Sequence, residues 1–138
     1  MKTTGHDLEE RTAVFGEATI EFCLALPTNP ATAPIINQLV RAGTSVGANY
    51  CEADDAESKK DFRHKVALCR KEARETKSWL RMIAKAAPAK KAAARILWKE
   101  AKELYLIFVA IIRTTDRILR AAQSAKPDLR HSSLDIGH

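Results

Sequence analysis

The stretch GANYCEADDAESKKDF, residues 47–62, decides how the chain folds, because it is either a ligand site or the junction between two helices. Four of its residues within positions 52–57 are acidic. Ser58 is a favourable N-cap, and Asp61 stands where the acidic partner of a capping box belongs. Acidic side chains just before Ser58 would also lie near the positive end of the following helix. We therefore predict a junction, with a new helix starting at Lys59.

The alternative is a metal or catalytic site built from this stretch. Its candidate residues are Glu52, Asp55, Asp61 and His64, since on a helix residues three apart share one face. Di-iron bundles need a Glu-x-x-His pair on each of two helices, and this chain contains no such pair. It also has no Gly-rich phosphate loop and no nucleophile–base pair. We predict no catalytic residue, no metal and no cofactor, and we rank an enzyme as a distant third hypothesis.

Outward from the junction, apolar residues recur with helical spacing in four stretches, and no stretch alternates as a strand would. The predicted helices cover about 7–26, 33–56, 59–87 and 89–124. The first is ended by the proline-containing stretch PTNPATAP. Short connections between amphipathic helices specify an all-α, antiparallel up-and-down four-helix bundle. We predict one domain over residues 1–125, followed by a polar, disordered tail at 126–138.

Charge is divided unevenly along the 138 residues, whose net charge is +6. Residues 1–58 hold three Lys/Arg and nine Asp/Glu, whereas residues 59–138 hold twenty and eight. This asymmetry indicates either an anionic partner or subunits that meet through opposite charges. The three cysteines lack metal-ligand spacing, no signal peptide is recognisable, and the longest apolar run has nine residues. We predict a cytoplasmic protein with no membrane span and no small-molecule substrate.

Basic residues of the third helix share about a third of its circumference and form what we call the basic ridge. Such a ridge suits a phosphate backbone, with binding that weakens as salt rises. No helix-turn-helix, zinc knuckle or aromatic ladder accompanies it, so we expect recognition of RNA or DNA by shape and charge. The alternative is a solvated face, or one that meets the acidic half of another subunit. The ridge consists of Lys59, Lys60, Arg63, Arg70, Arg74, Lys77, Arg81 and Lys85.

The fourth helix has a wider apolar arc than a single bundle core requires. An apolar excess of this kind usually marks a protein interface, although the arc could instead pack beneath the first helix and the tail. We predict an oligomer interface at Trp98, Tyr105, Val109 and Ile112.

The second helix contains Gly43 and Gly47 four residues apart, which indicates close approach to a neighbouring helix.

Three segments resemble the bacterial four-helix-bundle protein family, also known as the 23S rRNA intervening-sequence protein family. They are LEERTAVFGEATIEFCLALP, the long stretch from LVRAGTSVGANYCEADD to SWLRMI, and the apolar last helix. The resemblance covers roughly residues 7–120 and implies a four-helix bundle that assembles as a homopentamer, with no known catalytic activity. A distant relative, the accessory protein of diversity-generating retroelements, is a basic pentamer that works with a reverse transcriptase and nucleic acid. Its motifs are absent here, so its role is only an analogy.

Together these features favour a non-enzymatic, homo-oligomeric and specifically pentameric binding or scaffolding protein. Its expected partners are other copies of itself and RNA or DNA bound along the basic ridge. The alternative function is a purely structural or protein-partner oligomer with no nucleic-acid role, in which the charge asymmetry serves contacts between subunits.

Overall fold

The computed structural model describes residues 5–125, and these form four α-helices, a short 3₁₀ turn and no strand. The helices are α1 (Gly5–Leu24), α2 (Thr32–Asp54), α3 (Lys59–Ala86) and α4 (Lys91–Ala125), and the 3₁₀ turn covers Pro88–Lys90. The observed bounds lie within two residues of the predicted ones. The prediction of an all-helical bundle is confirmed, and the predicted tail at 126–138 lies outside the described residues.

The acidic stretch is the junction between α2 and α3. Ser58 has extended backbone angles, and its hydroxyl oxygen accepts the Asp61 amide hydrogen with an N–O distance of 3.0 Å. This is the side-chain bond of an N-cap, and it satisfies one of the free donors at the start of α3. Glu52 forms an ion pair with Lys65, 2.9 Å away on α3. In the part of the chain that is described, no three His, Cys, Asp or Glu side chains are grouped as metal ligands would be.

The connection between α1 and α2 is ordered by two polar side chains. The Asn29 carboxamide oxygen accepts the amide hydrogens of Ala31 and Thr32, at 2.9 and 3.0 Å. The Thr32 hydroxyl, which is fully buried, donates to the Pro27 carbonyl at 2.7 Å. Asn29 thereby satisfies two amide hydrogens in the turn that leads into α2.

The helices pack in antiparallel order around one core. Each contacts its sequence neighbours, and α1 closes the ring by a narrower contact with α4. The centre of the core is formed by Phe15, Leu39, Leu80, Leu104 and Phe108, which are at most 2% exposed. None of the helices within residues 5–125 is long and apolar enough to cross a membrane.

Helices α1 and α2 approach each other closely at two glycines of α2. A Cβ atom added to Gly43 would lie 2.7 Å from the Thr19 methyl carbon, and one added to Gly47 would lie 3.3 Å from the Thr12 backbone. A side chain at either position would therefore crowd α1. The predicted close approach at both glycines is confirmed.

Candidate nucleic-acid interface

The basic ridge lies on the side of α3 that adjoins α4, away from the core positions Val66, Ala73 and Leu80. Five of its eight residues are exposed, and Arg63, Arg70 and Lys77 are half-buried. The ridge extends over about 39 Å of helix at 1.5 Å per residue. That length is slightly more than one turn of duplex DNA, about 34–36 Å. The exposed members are Lys59, Lys60, Arg74, Arg81 and Lys85.

Arg63 has a protein partner. Its guanidinium group donates two hydrogen bonds to the Asp116 carboxylate on α4, at 3.0 and 3.3 Å. The bonds to Arg63, together with the positive charges of Arg120 and Arg70, hold the pKa of Asp116 below its usual value. Arg63 therefore joins α3 to α4. The other seven ridge cations form no ion pair with the residues that the structure describes.

Lys77 also faces α4. Its ammonium nitrogen lies 5.0 Å from the ring centroid of Trp98 and 5.4 Å from that of Tyr105. The ammonium of Lys102 approaches the same Trp98 ring at 5.6 Å. These are cation–π distances, and they bring a ridge residue into contact with two predicted interface residues. The ridge and the apolar arc of α4, which the sequence presented as separate features, form one continuous surface.

Acidic side chains of α3 and α4 are directed away from this surface by two arginines. Arg41 of α2 pairs with Glu72 and Glu75 of α3, at 3.0 and 2.6 Å. Arg11 of α1 pairs in the same way with two α4 residues, Glu100 and Glu103, each at 2.7 Å. Four of the six acidic residues on α3 and α4 are thus turned toward α2 or α1.

The same two helices carry seventeen Lys and Arg residues, of which only Arg63 and Lys65 form ion pairs with described residues. Six exposed cations of α4 extend the basic surface beyond the ridge, and they were not among the predicted site residues. On a helical wheel these six residues share one side of α4, and this pattern could have indicated a basic surface. Only the packing of α4 beside α3 shows that this side adjoins the basic ridge. We call the combined surface the α3–α4 face; its α4 members are Arg95, Lys99, Lys102, Arg113, Arg117 and Arg120.

The predicted oligomer interface is partly used within the single chain. Ile112 is 4% exposed and belongs to the core, so its inclusion in the interface is corrected: the turn of α4 that carries it faces the other helices of its own chain. Trp98, Tyr105 and Val109 are half-buried. The most exposed large apolar residues of α4 were not predicted for this role, and they are Ile96, Leu106 and Ile118.

The thiols of the chain are poorly suited to nucleophilic chemistry. All three are free; Cys23 and Cys69 are buried and Cys51 is exposed. Burial raises the pKa of Cys23 to about 11 and that of Cys69 to about 12. The pKa of Cys51 is also raised, by desolvation and by the neighbouring Glu9 carboxylate. At neutral pH the reactive thiolate form is therefore rare at every cysteine.

Comparisons with known proteins agree with this architecture. No curated protein matches the chain. A solved structure that it resembles is a protein of unknown function from the S23 ribosomal protein family of Bacteroides thetaiotaomicron. That match has 26% sequence identity and a TM-score of 0.70, and it covers 76% of this chain and 97% of the other. The family model described as "23S rRNA-intervening sequence protein" matches residues 10–110. The chain belongs to the 23S rRNA-intervening sequence protein family.

Proposed function

We propose that this protein is a non-enzymatic, homo-oligomeric protein that binds nucleic acid through the phosphate backbone, along the α3–α4 face. The observation that carries the proposal is the sorting of charge by Arg11 and Arg41. Each arginine holds two carboxylates at the edge of the face. Among the residues described, Asp116 is the one acidic residue that forms an ion pair within the face, with Arg63. A surface of many cations with few anions attracts polyanions at long range.

Recognition on this face would read charge and shape and not base sequence. The rings of Trp98 and Tyr105 are approached by lysine ammonium groups, which hinders bases from stacking on them. The remaining groups are long, flexible cations, which contact phosphates without reporting base identity. The family description, which refers to 23S rRNA, makes a structured RNA the first ligand to test.

Binding is tested by its salt dependence. The variant carries Arg70→Gln, Arg74→Gln and Arg81→Gln. The control carries Ala13→Glu, Asn37→Asp and Ala48→Glu, all at exposed positions of α1 and α2. Both lower the net charge by three, but only the variant changes the α3–α4 face. For duplex DNA, the slope of log K against log salt should fall by about 0.9 per lost phosphate contact, roughly 2.7 in all. Equal slopes in variant and control would refute a local binding surface.

Assembly is proposed on separate grounds. The family resemblance implies a homopentamer, and α4 exposes Leu106 to 53% beside the half-buried Tyr105 and Val109. Light scattering coupled to size exclusion should give about five times the 15.3 kDa chain mass. Leu106→Lys should lower this mass, and Ile20→Lys on α1 provides a control at a similarly exposed apolar position. A monomer in the wild type would refute the assembly.

A second candidate function is a purely structural oligomer, and the division of charge between helix pairs favours it. Helices α1 and α2 carry an acidic excess, and in the bundle they lie opposite α3 and α4. The acidic face of one subunit could then meet the basic face of the next, which is the head-to-tail contact that closes rings.

Charge swapping separates the two functions. Glu10→Lys with Glu17→Lys reverses charge on α1, and Arg113→Glu with Arg117→Glu reverses it on α4. Under the structural function each pair of changes alone lowers the oligomer mass, and all four together restore it, because the contact is complementary again. Under the nucleic-acid function the α4 changes weaken RNA binding, and the α1 changes do not restore it.

A further inference from the structure

A cavity of about 540 Å³ lies where α3 ends and α4 begins, and we call it the α3–α4 cavity. Its volume falls within the range of about 300–1,000 Å³ that small-molecule sites occupy. The cavity adjoins one end of the basic ridge, since Arg81 belongs to both. It lies outside every residue set that the sequence analysis identified, apart from Arg81 and Trp98.

The rim of the cavity is cationic on both sides. Arg81 reaches it from α3, and Lys91, Arg95 and Lys99 reach it from α4, while no carboxylate lines it. These three α4 residues recur at four-residue intervals, which places them on one side of the helix. An anion entering between the two helices would therefore meet positive charge from both walls.

The start of α4 strengthens this positive potential. Helix N-termini carry partial positive charge, so acidic residues are favoured in the first turn. The first turn of α4 has no acidic residue and begins with Lys91. The sequence thus opposes its own helix dipole at the edge of the cavity, and such local conflicts are expected at functional sites. A bound phosphate would relieve it.

The floor of the cavity is apolar. Leu80 and Ala94 line it and are only 1% and 2% exposed, and Ala84 lies beside them. Trp98 forms a further wall, where the ammonium groups of Lys77 and Lys102 contact its ring. A cationic rim above an apolar floor fits an organic anion better than it fits inorganic phosphate, which has no apolar part to bury.

We propose that the α3–α4 cavity binds one phosphate-bearing nucleotide, with its phosphate between the rim cations and its base against the apolar floor. The inference rests on the proposed function, because a strand that lies on the ridge and ends near Arg81 would place its terminal nucleotide at the cavity. The same chemistry is available from a free mononucleotide. The terminal nucleotide of a bound strand and the free nucleotide are the two sources that the experiment distinguishes.

The experiment compares two single-stranded RNA 12-mers of one sequence, phosphorylated at both ends or at neither, together with free AMP. The cavity variant is Lys91→Gln with Arg95→Gln. The matched control is Arg113→Gln with Arg117→Gln, which removes the same charge from α4 outside the cavity. Affinities are measured by fluorescence anisotropy for the RNAs and by calorimetry for AMP. Thermal unfolding by circular dichroism verifies that the variants fold.

We expect wild type and control to bind the phosphorylated RNA about tenfold more tightly than the unphosphorylated one, since a terminal phosphate between the rim cations accepts charge-assisted hydrogen bonds. The cavity variant should lose this preference yet bind the unphosphorylated RNA as the control does. The wild type could instead bind both RNAs equally but bind AMP, with the cavity variant losing AMP binding. That result would support the cavity, with the free nucleotide as its ligand.

Two results would overturn the inference. In the first, the wild type neither prefers the phosphorylated RNA nor binds AMP. In the second, the wild type shows one of these properties and the cavity variant retains it. If the RNAs bind in that case, the proposed function of the face survives without the cavity. If AMP binds at the cavity but neither RNA binds at any salt, the cavity stands and the proposed function of the face fails.

Discussion

Replacing Gly43 by alanine should destabilise the bundle, although alanine is the better helix former. The new Cβ would lie 2.7 Å from the Thr19 methyl carbon, 2.8 Å from its hydroxyl oxygen and 3.0 Å from its Cβ. Thr19 is fully buried, and its hydroxyl donates to the Phe15 carbonyl at 2.8 Å. Rotation of the Thr19 side chain only exchanges one crowded γ atom for the other, so α1 and α2 have to separate slightly.

The expected size follows from two opposing terms. Overpacking a buried contact costs about 1–3 kcal/mol, and replacing glycine by alanine inside a helix contributes about 1 kcal/mol in the other direction. The net loss at Gly43 is then about 1 kcal/mol. Gly16 is a matched control on the same interface, because a Cβ there would have its nearest neighbour at an ordinary 3.6 Å. Gly16→Ala should therefore stabilise by about 0.5–1 kcal/mol.

Urea unfolding followed by circular dichroism measures both variants at one fixed protein concentration, since oligomerisation makes stability concentration-dependent. Gly43→Ala should lower the free energy of unfolding and Gly16→Ala should raise it, a difference of about 2 kcal/mol. In a Thr19→Ala background the loss at Gly43 should shrink, because the two closest atoms, the methyl carbon and the hydroxyl oxygen of Thr19, are gone. A Gly43→Ala protein as stable as the wild type would refute the close packing of α1 on α2.

Three further predictions concern the thiols and the ion pairs. Below pH 9 a thiol reagent should modify Cys51 alone in the folded protein, more slowly than free cysteine, and should reach Cys23 and Cys69 only after unfolding. The pKa of Asp116 is lowered in the folded protein, so this carboxylate stabilises the fold fully above its unfolded pKa, about 3.9. That stabilisation is lost as the pH falls through the folded pKa. The difference in unfolding free energy between wild type and Asp116→Asn, measured by urea unfolding, should therefore shrink from pH 5 to pH 2. Arg41→Met should lower the unfolding free energy by about 1–3 kcal/mol, because it leaves a nearly buried glutamate unpaired.

The helices could be predicted from the sequence because their signals are local. The apolar spacing through Leu8, Phe15 and Phe22 reports the buried side of α1, and those residues are in the core. Ser58 and Asp61 identify the start of α3 by capping chemistry alone, and the structure has the expected bond. Neither inference needs knowledge of a neighbouring helix.

The ion pairs between helices and the cavity could not be predicted from the sequence, because they depend on which helices lie next to each other. The partnership of Arg63 with Asp116 and that of Arg11 with Glu100 join residues far apart in the chain, and nothing local pairs them. For the same reason the wheel of α4 could not separate Ile112, which the bundle buries, from Leu106, which it leaves exposed. The α3–α4 cavity likewise exists only once two helix ends are brought together.

Lysine acylation footprinting with and without saturating RNA, read by mass spectrometry, tests most directly whether the α3–α4 face binds nucleic acid. Lys60 and Lys85 on the ridge and Lys99 on α4 should each lose reactivity when RNA binds. Lys65 should not, because it pairs with Glu52 on the α2 side of α3. Ridge lysines that react equally in free and RNA-saturated protein would contradict the claim that the α3–α4 face holds the nucleic acid.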